Sequence, residues 1–149
     1  MDFDKLCNVF LKLNKKIRFV GVLNSRGGLV AQKFRDNSSS LLSAEELKMV
    51  IYYTMDRRNR LQNLQHKLGK VKETTNRYEN TSTITLFLDK NMILASTDPR
   101  SNISKITSDM WKILEKKKAN KSQVKKNASK KTTSKKRTSK KKVQRVSKK

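Results

Sequence analysis

Apolar residues recur along this chain at spacings that switch from helical to alternating and back. Phe3, Leu6, Cys7, Phe10 and Leu13 stand three or four apart, which predicts one apolar face of a helix. Asp2 and Asp4 complement its positive N-terminus, and Asn14, Lys15 and Lys16 suit its C-terminal end. Residues 16–23 are apolar on nearly both sides, the pattern of a central strand. Strict alternation places Ile17, Phe19, Gly21 and Leu23 on one side and Arg18, Val20 and Val22 on the other. Asn24 to Gly28 supplies turn residues, and Leu29 to Phe34 resumes as the second strand of a hairpin.

After a polar loop at 36–40, Ser43 and Glu46 form a capping-box pattern, with Leu42 placed to staple onto Leu47. A helix is predicted from Ala44 to Leu68, where Gly69 stops it. Its stripe of Leu47, Val50, Ile51, Met55, Leu61, Leu64 and Leu68 is interrupted by the polar run Asp56 to Arg60. At 1.5 Å per residue such a helix spans roughly 37 Å. It either protrudes onto a second copy or kinks near Asp56 to Asn59. Tyr52 and Tyr53 cannot share a face, so one of them belongs to a surface that suits an interface.

Lys70 to Glu79 is polar and weakly patterned, and reads as an edge strand guarded by Lys70, Lys72 and Arg77. Residues 82–88 alternate, with Ile84, Leu86 and Leu88 inward, and residues 92–97 form the last strand. Asp98-Pro99-Arg100 breaks the pattern. Asn102 or Ser101 then caps a helix with Ile103, Ile106, Met110, Ile113 and Leu114 on its face and Trp111 at the margin. The order α-β-β-α-β-β-β-α predicts an α+β domain over residues 1–115, a five-stranded antiparallel sheet flanked by helices.

Charge changes the picture at the C-terminal end. The formal net charge is +25, of which residues 1–115 carry only +8. Residues 116–149 hold 15 Lys, 2 Arg and no Asp or Glu. Such a segment has too few apolar residues for a core and is expected to be a disordered basic tail. Ser-Lys-Lys recurs in it at 129–131, 134–136 and 139–141.

Chemistry is sparse. His66 is the single histidine and Cys7 the single cysteine, so neither a metal site nor an internal disulfide is expected. Cys7 reads as a buried hydrophobe on a helix face. Gly27-Gly28 lacks the Lys-Ser/Thr pair and the following helix of a phosphate loop. No catalytic constellation and no cofactor is expected, so the chain reads as a non-enzyme. The acidic start and the lack of an apolar run of about 18 residues predict a cytoplasmic protein.

The hairpin KIRFVGVLNSRGGLVAQ and the later STITLFLDKNMILASTD, in this element order, resemble the Roadblock, or dynein light-chain, superfamily. Archaeal proteins of similar length look closer still. Longin and profilin-like domains share parts of the order. The resemblance covers residues 3–115. It implies a non-enzymatic domain that forms a homodimer through the central helix and an edge strand, and that serves as an adaptor or, alternatively, as a small-GTPase regulator or complex scaffold whose tail is only a localisation or solubility element. Carried onto this chain, the dimer interface would include Leu47, Val50, Ile51, Tyr53 and Met55.

The tail resembles the Lys-rich tails of linker histones without their prolines. It implies electrostatic, sequence-independent attachment to nucleic acid, DNA before RNA, and a nucleoid-associated location. The residues that would carry it are Lys125, Lys126, Lys130, Lys131, Lys135, Lys136, Arg137, Lys140, Lys141, Lys142 and Arg145. An anionic membrane surface or a purely solubilising role are the other readings of the same charges. A small-molecule sensor built on a profilin-like sheet is a third reading of the domain.

Overall fold

The computed structural model describes residues 2–35 and 40–120. The chain divides into two compact units, one ending at Asp109 and the other beginning at Met110.

The first unit is built on five antiparallel strands. They are β1 (Ile17–Asn24), β2 (Leu29–Phe34), β3 (Glu73–Arg77), β4 (Ser82–Phe87) and β5 (Asn91–Thr97). Their spatial order is β2-β1-β5-β4-β3, so β1 is internal and β3 is an edge, as the patterning predicts. Helix α1 (Phe3–Leu13) lies against β1 and β2. Helix α2 (Ala44–Gln62) and the single turn α3 (Gln65–Leu68) fill the connection between β2 and β3. A last helix, α4, is described over residues 103–120 and so runs five residues into the Lys-rich segment. Asn102 caps it, accepting from the Lys105 amide at 3.1 Å. Among the described residues no helix is long and apolar enough to cross a membrane.

α1 forms where the sequence places it. The Asp2 carboxylate accepts from the Lys5 amide at 3.1 Å, which holds that carboxyl below its ordinary range. The helix buries Leu6, Cys7, Phe10 and Leu11. Burial pushes the Cys7 thiol up, so it behaves as a core hydrophobe.

The end of α1 is held by a residue that the pattern does not single out. Arg35, just past β2, donates from Nε to the Ile17 carbonyl at 2.7 Å. It also donates to the Asn14 carbonyl at 2.9 Å and to the Leu11 carbonyl. One guanidinium thus satisfies carbonyls left open at the helix C-terminus, where positive charge is favoured, and ties α1 to the start of β1.

Strict alternation fails at the start of β1. Ile17 pairs with Thr97 and Phe19 with Ser96, so Arg18 is an extra residue and the register shifts. This bulge moves Ile17 off the Phe19 side and onto the side of Val20 and Val22. Arg18 instead reaches Asp98 at 3.2 Å. The Asp98 carboxyl is held below its usual range, first by the Arg100 amide and then by Arg18. Leu88, expected inward at the end of β4, is half-buried in the turn to β5, where its amide donates to the Asn91 carbonyl at 2.8 Å.

The β1–β2 turn is closed by Asn24. Its side-chain oxygen accepts from the Arg26 and Gly28 amides, each at 2.9 Å. Gly27 takes a φ of +80°, a conformation that costs an L side chain about 1–2 kcal/mol.

Candidate functional site

α2 starts as a capping box. The Glu46 amide donates to Ser43 Oγ at 3.2 Å, and the Ser43 amide donates to Glu46 Oε2 at 2.7 Å. Yet not one residue of α2 is buried. The helix rests on the sheet through Leu47, Ile51 and Met55, which with Val71 pack on Phe19, Leu23, Phe87, Met92 and Leu94. The β1–β2 turn reaches the same face, where a Cβ on Gly27 would stand 3.2 Å from Ile51 Cγ2.

The helix runs unbroken through its polar run. Asp56 pairs with Arg60 at 2.9 Å, one turn along the same face. The Arg58 guanidinium lies 5.2 Å over the Phe87 ring and donates to the Leu88 carbonyl at 3.4 Å. The break comes later, at Asn63 and Leu64, where Leu64 leaves helical geometry at φ −95° and ψ 3°. α3 then makes one turn and Gly69 ends it at φ +77°.

The five interface candidates divide between two roles. Leu47, Ile51 and Met55 are turned onto the sheet. Val50 borders two clefts beside the helix, and Tyr53 is 62% exposed. The outer surface adds Met49 and Tyr52, the latter 68% exposed with its ring 5.7 Å edge-on from that of Tyr53. Amphipathic rings standing in water on a helix with no buried residue are the composition of a docking surface.

One cleft, of about 240 Å³, lies at the N-terminal end of α2 between Leu41, Leu42 and Leu47 and the aromatic residues Phe19, Phe34 and Tyr78. The other, of about 210 Å³, runs between α2 and the β3–β4 pair. Tyr53, Arg57, Arg58 and Leu61 line its helix side, and Thr74, Asn76, Thr83 and Thr85 its sheet side.

The free edge of β3 has a defined hydrogen-bonding phase. The Lys72 carbonyl accepts from Phe87 and the Tyr78 amide donates to Thr81, both at 2.8 Å. Positions 72, 74, 76 and 78 therefore face β4, and Glu73, Thr75 and Arg77 turn their N–H and C=O groups outward. Sequence patterning finds the edge strand but not this phase, which depends on the β4 register.

Among the described residues no group of three His, Cys, Asp or Glu is placed to hold a metal. His66 sits at the turn after α2, with Nδ1 3.1 Å from the Asn63 carbonyl. The basic positions from Lys125 to Arg145, and the expected disorder of the tail, lie outside the described residues.

No family model and no curated protein sequence matches this chain. Solved structures do match its fold. A Roadblock/LC7 domain from Streptomyces avermitilis superposes with a TM-score of 0.60 at 8% identity, covering 80% of this chain and 98% of that one. The gliding protein MglB from Thermus thermophilus gives 0.57 at 12% identity, over 69% of this chain and 76% of MglB. A structure of MglB in a tetrameric arrangement gives 0.57 at 13% identity, over 69% and 75%. At these identities the likeness is one of fold, and the fold is Roadblock-like α+β.

Proposed function

We propose that this chain is a non-enzymatic adaptor of Roadblock type that pairs with a second copy along β3 and presents α2 to protein partners. Small GTPases are the partner class that the resemblance implies. The carrying observation is the β3 edge. In an antiparallel pair centred on Thr75, each outward-facing Glu73 meets the Arg77 of the other copy. That register joins three outward positions, with about two backbone hydrogen bonds each. Centring on Glu73 or on Arg77 instead would set like charges against each other. The occurrence of this fold in a tetrameric arrangement of MglB supports the same reading.

Charge swapping tests it. Arg77→Glu places carboxylates opposite one another at both ends of the pair and should weaken self-association by about tenfold or more. Adding Glu73→Arg restores complementarity and should restore the mass seen by light scattering. A wild-type chain of monomer mass at high concentration, or an Arg77→Glu chain that associates like wild type, would overturn the pairing. Titrating GTP-loaded small GTPases against both forms separates the roles, because a docking face formed by two copies loses affinity together with the mass.

A second reading concerns attachment. All of the +17 charge of residues 116–149 is free of acidic residues, which favours a polyanion such as nucleic acid. Contact with about ten phosphates predicts a log–log salt slope near −9 on duplex DNA with little base preference. Fluorescence anisotropy of the full chain on a duplex at several salt concentrations measures it, and a flat salt dependence removes this reading.

A further inference from the structure

From the C-terminal half of α2 to the start of β3 the surface has a second chemistry. Arg57, Arg58, Arg60, Lys67, Lys70 and Lys72 fall in one stretch with no Asp or Glu. Arg60 is bridged to Asp56, and Lys70 stands 4.0 Å from Asp89. Arg57, Lys67 and Lys72 make no ion pair among the described residues. Two leucines of the same stretch are exposed, Leu64 at 46% and Leu68 at 75%. Leu64 precedes the one-turn α3 and Leu68 ends it, next to Gly69 at φ +77°. The cleft lined by Arg57, Arg58, Leu61 and Val71 borders the same stretch of chain.

We infer that this surface is a docking site for an acidic polypeptide segment with apolar anchors spaced to meet Leu64 and Leu68. Charge complementarity selects the occupant. The chain's own Lys-rich segment has the same sign as the surface, and so does this stretch of a second copy. The stretch from Arg57 to Lys72 holds no Phe, Tyr or Trp, and its leucines have no role toward phosphates. The concave cleft that Arg57, Arg58, Leu61 and Val71 line suits a polypeptide segment better than a flat membrane surface. The inference deepens the adaptor reading by naming the partner's chemistry, and it rests on α2 being the docking element.

The test uses the full chain with isotope labelling and a synthetic peptide of about 14 residues, leucine at every fourth position and glutamate between. At about physiological salt, amide shifts should move within residues 57–72, and affinity should fall about tenfold in Lys67→Glu/Lys70→Glu and in Leu68→Ser. Both variants change exposed side chains, and their light-scattering mass reports the β3 pairing separately. Shifts confined to residues beyond 120, or unchanged affinity in both variants, would overturn the site. So would an oligonucleotide or a phosphatidylserine vesicle that displaces the peptide and moves residues 57–72 more strongly.

Discussion

Arg35→Ala should destabilise the domain by about 3 kcal/mol, the sum expected for charge-assisted bonds to backbone carbonyls at a half-buried site. For a domain of this size that corresponds to a fall in Tm of roughly 10 °C. The reason is where the bonds go. The guanidinium serves carbonyls of Leu11, Asn14 and Ile17, so its loss opens the end of α1 and the first residue of β1 together. Alanine leaves those part-buried carbonyls without their donor. Arg35→Lys keeps the charge but has no fork, so it should recover less than half of the loss. Urea titration of the three proteins decides the matter. An Arg35→Ala midpoint equal to wild type would show that the three bonds carry no net stability.

Gly27→Val should cost about 2–3 kcal/mol, because two penalties meet at one atom. The φ of +80° is unfavourable for any L residue and worse for a β-branched one. The new Cβ would also stand 3.2 Å from Ile51 Cγ2, before the two γ carbons are counted. The two penalties can be separated. Ile51→Ala removes the steric one, so Gly27→Val should cost less in that background, whereas the backbone cost stays. Denaturant midpoints for the double-mutant cycle give the coupling. Strict additivity would mean that the turn does not seat the helix.

Much of this architecture is written in local sequence. The Ser43–Glu46 box, the turn at Asn24 to Gly28, the edge character of Glu73–Arg77 and the Asn102 cap each depend on residues within a few positions of one another. What depends on distant partners is not legible in the same way. Periodicity cannot see the bulge at Arg18, because an extra residue is defined only against Ser96 and Thr97 across the ladder. The polar run at Asp56 to Arg60 looks like a kink until Arg58 meets Phe87. Arg35 looks like one more surface cation, since its acceptors lie 18 to 24 residues back.

The same holds for the candidate site. The stripe of Leu47, Ile51 and Met55 is plain in the sequence. That these three seat the helix on the sheet, while Met49, Tyr52 and Tyr53 face water, follows from the positions of β1, β4 and β5 beneath α2. The outward phase of β3 likewise follows from its register with β4. Leu64 and Leu68 belong to the predicted long helix, whereas in the structure the helix breaks at Asn63 and Leu64 and both leucines are exposed.

The strand order has a consequence for when this surface comes into being. β1 with β2, and β3 with β4 and β5, are hairpin neighbours that can close locally, whereas the β1–β5 ladder joins the two ends of the domain. The seat of α2 draws Phe19 and Leu23 from one side of that seam and Phe87, Met92 and Leu94 from the other. Neither half alone offers a complete floor. The floor under α2 is therefore complete only once the β1–β5 ladder has joined the two halves.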